Sequence, residues 1–344
     1  MLPPSDDSIA DLETAAAPGG QETAAGDAAP DEGVCPATSQ VALDNRVAAC
    51  TRLLAKAGSD AAKRIALGNL ATALVQAQRY DEAVSTYKQA AALSPRDAAI
   101  YYAIGLARLD QQRFPEARAA FDKAAQLQPR NPEIVFGRGL SYIGLGDLET
   151  ARLELKNALL MKDDAVYYEK LGEVEIARGD LDAAKLALER GRKADAGRSS
   201  LTLAVINYYL GDSAAAAAEV AANGSDPTAP LWNAIIRKAA GDADGAARAL
   251  RAGRPAEGET WPGPIFAVLS GTMSLAQARA AAAATAGKVE PWQLCSLNFF
   301  GGEWAYVSGD KDGARTALQA ALATRAFYRL EYAAAKARIA RLDE

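Results

Sequence analysis

The sequence predicts an all-α array of stacked antiparallel helix pairs, and three observations predict it. First, a short segment recurs: Arg79-Tyr80-Asp81-Glu82-Ala83, Arg113-Phe114-Pro115-Glu116-Ala117, Asp147-Leu148-Glu149-Thr150-Ala151 and Asp180-Leu181-Asp182-Ala183-Ala184. The closing alanines are 34, 34 and 33 residues apart, a period that marks repeat architectures. Second, apolar residues within each recurrence fall at helical spacing in two runs separated by a break, as in Leu67, Leu70, Ala71 and Leu74 followed by Ala83, Tyr87 and Ala90. Third, Pro95 and Pro129 close units, and Gly-Asp pairs open second helices farther along.

Taken in order, the chain begins with an acidic stretch. Residues 1–33 hold eight carboxylates (Asp6, Asp7, Asp11, Glu13, Glu22, Asp27, Asp31, Glu32) and no Lys or Arg, among small residues. Such a segment buries too little apolar surface to offset its ordering entropy and is expected to be a disordered tail. The whole chain, with 344 residues and a net charge of −5, has 38 basic against 35 acidic side chains once the tail is removed, a body of about +3. Residues 34–60 form an N-terminal cap, with one helix over Ser39 to Ala57 and Cys35 and Cys50 fifteen residues apart. Spacing alone leaves a disulfide and two reduced thiols equally open. Residues 61–255 carry the repeats, and 256–344 carry degenerate repeats and a closing helix from about Tyr328 to Arg341.

The repeat has a physical grammar. A small residue at the eighth position (Ala71, Gly105, Gly139, Gly172) faces a small one at the twentieth (Ala83, Ala117, Ala151, Ala184), which lets the paired helices approach closely. A larger residue at the twenty-fourth (Tyr87, Phe121, Leu155, Leu188) fills the gap to the next unit. In each Gly-Asp pair the glycine can end one helix in the left-handed conformation and the aspartate can cap the next. With eight candidate units, counting weaker ones at Gly211-Asp212, Gly241-Asp242, Gly271 and Gly309-Asp310, the chain resembles the tetratricopeptide repeat (TPR) family. That resemblance implies a right-handed α-solenoid whose first helices line a concave groove.

Two further resemblances concern the ends. The segment Asn45-Arg46-Val47-Ala48-Ala49-Cys50-Thr51-Arg52-Leu53-Leu54, with Cys35 upstream, looks like the leader of exported bacterial TPR proteins; this implies a Cys35–Cys50 disulfide and an envelope location. The order Trp261-Pro262-Gly263, Phe299-Phe300-Gly301-Gly302-Glu303-Trp304 and Gly309-Asp310 before an Arg-rich helix is similar to the C-terminal half of the bacterial lipoprotein family typified by NlpI. Members of that family are envelope adaptors that scaffold peptidoglycan hydrolases and a periplasmic protease. No lipidation cysteine or apolar signal segment is visible, so membrane association is expected only through an anchor outside the sequence read. A cytoplasmic adaptor with reduced cysteines is the alternative.

Chemistry is scarce. The chain has no histidine, which excludes Ser-His-Asp and Cys-His catalysis and imidazole metal sites. It shows no phosphate-binding loop, dinucleotide turn, CxxC, HExxH or GxSxG motif. The expected function is a non-enzymatic scaffold with no cofactor, no metal and no nucleic-acid partner, binding a peptide or helix of a partner protein; the NlpI-like resemblance implies an envelope hydrolase or assembly factor as that partner. The groove-facing positions implied by the family are Asn69, Tyr102, Leu106, Phe136, Leu140, Glu169 and Lys170. Tyr102 and Phe136 have a second reading, as packing between neighbouring first helices. A carboxylate-dependent hydrolase built on Glu169 and Glu173 is the enzyme-class alternative. Trp261 and Trp304 are expected as core plugs, and Cys295 as a buried free thiol.

Overall fold

The computed structural model describes residues 30–35, 42–195, 200–255, 261–286 and 290–342 of the 344-residue chain. These residues form nineteen helices and no strand. They divide into two compact units, one through Ser141 and one from Tyr142.

Unit 1 opens with a five-residue helix, α1 (Pro30–Val34), against the cap helix α2 (Leu43–Lys56). The expectation of a disordered tail through Gly33 is corrected at Pro30–Gly33, which lie in this helix. Asp31 is buried and pairs with Arg52 at 2.6 Å and Lys56 at 3.4 Å. Residues 1–29, the rest of the acidic stretch, lie outside the described residues. Cys35 and Cys50 are joined by a disulfide, S–S 2.14 Å, and both half-cystines are buried against Leu70, Leu74 and Ala83.

Two helix pairs follow, α3 (Asp60–Gln76) with α4 (Tyr80–Leu93) and α5 (Ala98–Asp110) with α6 (Phe114–Leu127), and then α7 (Pro132–Leu145), in which the unit boundary falls. Packing here is local. Leu67 and Ala71 of α3 meet Val84 and Tyr87 of α4 and Ile100 and Ile104 of α5 in one small cluster, and Phe121 centres another. The Phe121 ring lies where a Cβ on Gly105 or on Gly137 would come within 2.6 Å of it. Thus the twenty-fourth residue covers the eighth residue of its own repeat as well as filling the gap to the next. Leu188 does the same over Gly172, and Leu318 over Gly302, with the added Cβ 2.7 Å away in both cases.

Unit 2 contains the pairs α9 (Ala165–Arg178) with α10 (Leu181–Ala194), α11 (Leu201–Tyr209) with α12 (Ser213–Ala222), α13 (Ala229–Ala239) with α14 (Ala243–Gly253), α15 (Gly263–Leu269) with α16 (Leu275–Ala286), and α17 (Pro291–Val307) with α18 (Lys311–Ala323). α8 (Leu148–Met161) precedes them and α19 (Leu330–Ala340) closes the unit. Five Gly-Asp turns build it: Gly179, for one, has φ 86°, and the Asp180 carboxylate accepts from the Ala183 N–H to cap α10. Gly146, Gly211, Gly241 and Gly309 repeat the device. In unit 1 the left-handed position falls instead on Gln78 and Gln112. Unlike unit 1, unit 2 shares one continuous core, from Ile176 to Leu342, with Trp232 at its centre against Phe299 and Phe300.

Candidate functional site

All seven expected groove residues lie on first helices: Asn69 on α3, Tyr102 and Leu106 on α5, Phe136 and Leu140 on α7, Glu169 and Lys170 on α9. Each is half-buried. The first five belong to unit 1 and the last two to unit 2, and the two groups differ in kind.

In unit 1 the surface is apolar and aromatic. Tyr102, Leu106 and Leu140 rest on the Phe121 cluster, the Tyr102 and Phe121 rings 5.7 Å apart and tilted. These three side chains therefore hold α5 to α7 while keeping part of their surface in water. Burial, helped by the nearby Glu133 carboxylate, pushes the Tyr102 phenol up to about 12, so it stays a neutral hydrogen-bonding group at any physiological pH. At the start of the same stack, Gln76 accepts a hydrogen bond from the Arg46 guanidinium of the cap helix. The Thr72 and Tyr87 hydroxyls lie 3.1 Å apart.

In unit 2 the corresponding face is met by the chain itself. The helix α19 packs along α9 and also touches α11, α17 and α18. Glu169 and Lys170, expected among the groove-facing residues, are half-buried on this helix and bonded within unit 2. Lys170 pairs with Glu173 at 2.9 Å, both feel the charge of Arg329 just before α19, and Glu169 accepts from the Ser200 and Thr202 hydroxyls. Glu169 and Glu173 are thus engaged in internal bonds in the place where the hydrolase alternative would need them free. Just upstream, the Phe327 ring sits against Gly146 and stacks edgewise with Tyr332.

The clasp that holds α19 is a buried charge pair. Arg338 donates to Glu303 of α17 through Nε at 2.9 Å and Nη2 at 3.1 Å, and both residues are under one-tenth exposed. The Tyr208 and Tyr209 hydroxyls of α11 lie 3.1 and 3.0 Å from the same carboxylate, and the guanidinium faces the Tyr306 ring at 4.1 Å and the Tyr209 ring at 4.6 Å. Burial and the Glu303 charge raise both tyrosine phenols well above their ordinary value. Arg341 adds a bond to the Tyr209 carbonyl oxygen at 2.9 Å. Sequence reasoning did not find this group. A signal existed, because Glu303 is the single charged residue in the seventeen of α17, and a lone carboxylate in an apolar helix needs a buried partner.

Among the remaining expectations, Cys295 is a buried free thiol that burial pushes up to about 12. Trp261 packs edge-on to Trp292 at 5.4 Å. Trp304, like Trp261, is half-buried and packed against the unit 2 core, with the Lys238 ammonium 4.0 Å over its ring. Among the described residues, no group of three or more Cys, Asp or Glu side chains could hold a metal ion, and no helix is long and apolar enough to cross a membrane.

The fold is that of a helical-repeat protein. Residues 69–132 and 102–166 match the tetratricopeptide repeat family, so this stretch carries TPR repeats, and the described helices have the all-α fold of TPR solenoids. A tetratricopeptide repeat protein from Parabacteroides merdae superposes with a TM-score of 0.53 at 16% identity, covering 67% of this chain and 91% of that one. PilW, described as a widely conserved type IV pilus biogenesis factor, superposes with a TM-score of 0.50 at 17% identity, covering 55% and 91%. At these identities the likeness is one of fold. No curated protein matches the chain in sequence.

Proposed function

We propose that the protein is a non-enzymatic adaptor of the bacterial cell envelope that binds an extended or helical segment of a partner protein on the α3, α5 and α7 face of unit 1. The carrying observation is the contrast between the units: Tyr102, Leu106, Phe136 and Leu140 keep apolar surface in water, whereas the α9 face is met by α19. A run of partly exposed apolar and aromatic side chains on neighbouring helices suits the apolar face of a peptide. The envelope part of the reading is supported by the Cys35–Cys50 disulfide, since such bonds persist in oxidising compartments. The NlpI-like order of the Trp261 to Leu342 region adds the partner class: envelope hydrolases or assembly factors, with any membrane attachment through an N-terminal anchor.

A photo-crosslinking residue at Phe136 of the full chain, expressed in its native cells, tests this. The expected adducts are envelope proteins, and they are lost when Tyr102→Ala and Leu106→Asp are combined. Adducts made only of cytosolic proteins, together with free thiols at Cys35 and Cys50 in the trapped cell extract, would overturn the envelope reading. Unchanged adducts in the double variant would overturn the assigned face.

A further inference from the structure

A pocket of ≈ 210 Å³ lies in unit 2, lined by α13, α14, α15 and α17 and by none of the expected groove residues. Its lining includes the apolar residues Trp304, Leu250, Leu269 and Ala246 and two cations, the half-buried Lys238 and the exposed Arg251. Among the described residues no carboxylate lines it. Of the two acids flanking the lining residue Ala243, Asp242 accepts from the Gly245 N–H at 2.7 Å and from Arg237 at 2.8 Å, and Asp244 is exposed and outside the lining. The Lys238 ammonium has the Trp304 ring beneath it at 4.0 Å, and burial without an acidic partner lowers its proton affinity. Two cations beside an apolar, aromatic chamber form a half-built ion pair.

From this the geometry points to a binding site for an apolar or aromatic monocarboxylate. The carboxylate sits between Lys238 and Arg251, and the ring or chain lies against Trp304 and Leu269. Size supports the class. The volume holds one ring-bearing group and is below the roughly 300–1,000 Å³ that encloses a drug-sized ligand. Charge supports it too, because an anion here would gain charge-assisted bonds that neither cation makes among the described residues. A free carboxylic acid and the C-terminus of a polypeptide ending in an apolar residue share this chemistry.

The test uses the full chain, with its tryptophan indole N–H resonances assigned by Trp304→Phe. The probes are 4-phenylbutyrate, the peptide acetyl-Gly-Ala-Phe with a free C-terminus, and the neutral amide of each, titrated by NMR and calorimetry. The expected result is that an acid shifts the Trp304 signal and binds at least tenfold more tightly than its amide. Lys238→Met and Arg251→Met each remove about tenfold of that preference, and an unmoved Trp232 signal in both variants shows that the core is intact. Binding of phenylbutyrate alone identifies free acids as the source of the ligand; binding of the peptide as well extends it to polypeptide termini. Equal binding of acid and amide, or a Trp304 signal that no acid moves at millimolar concentration, overturns the proposal.

Discussion

Glu303 and Arg338 show what a single buried charge does in a helical repeat. Both are removed from water: Glu303 is held by Arg338 and the Tyr208 and Tyr209 hydroxyls, and Arg338 by Glu303 and the faces of the Tyr306 and Tyr209 rings. Breaking such a pair leaves an uncompensated charge, at a cost of about 3–5 kcal/mol. Arg338→Met is expected to lower the unfolding free energy of unit 2 by that amount, and adding Glu303→Leu is expected to recover part of it, as read from urea denaturation of the full chain. A second buried carboxylate reports on pH. Burial pushes the Glu331 carboxyl up, but Arg329 at 2.9 Å and the Ser296 hydroxyl at 2.7 Å outweigh it and hold the group below its ordinary 4.5. A carboxylate depressed in the folded state stabilises it fully above the unfolded value and loses that contribution as pH falls through the folded one. The stability gap between the wild-type chain and Glu331→Gln should therefore narrow on acidification from about pH 5 to pH 3, which urea midpoints across that range will show.

Among the elements, the smallest depends most on covalent chemistry. The helix α1 is five residues long, too short to persist alone, and it is held by the disulfide and by Asp31 against α2. For a closed loop of 15 residues the cross-link contributes about 3 kcal/mol on the chain-entropy account. The expected outcome of Cys50→Ala, or of reduction, is faster proteolysis between α1 and α2, with the spectrum of unit 2 unchanged; mass spectrometry of the early fragments checks it. The elements also show how far sequence can be read. The Ala83, Ala117, Ala151 and Ala184 register predicts the helix pairs because a repeat writes its packing into every copy. Glycine at 105 and 172 is legible for the same reason. Gly137, the second contact of Phe121, breaks the register and was not, and nor was the helix at Pro30–Val34, whose order comes from Arg52 and Lys56 rather than from its own composition. Of the site, the residues of α3, α5 and α7 could be named from their repeat positions. The covering of α9 by α19 could not, because that contact joins helices that no local period connects.

For the whole molecule, the two units combine two kinds of order in one chain. In unit 1 each helix pair packs on its neighbours through small separate clusters, the one-dimensional arrangement in which stability is a sum of local terms. In unit 2 a single core ties α9 to α19. Hydrogen exchange followed by mass spectrometry should therefore show graded opening along unit 1, starting from its ends, and one cooperative opening for the helices from α9 onward. A gradient running smoothly through α9 to α19 would show that the clasp does not unite them.

The clasp also sets a timetable for the protein's birth. Arg341 bonds to Tyr209 across 132 residues of chain, and at about 5–20 residues per second the ribosome delivers it roughly ten seconds after Tyr209. Unit 1 can settle repeat by repeat as it emerges. The α9 and α11 faces must wait uncovered for a helix made last among the described elements, and during that interval they are the surface on which a chaperone can act.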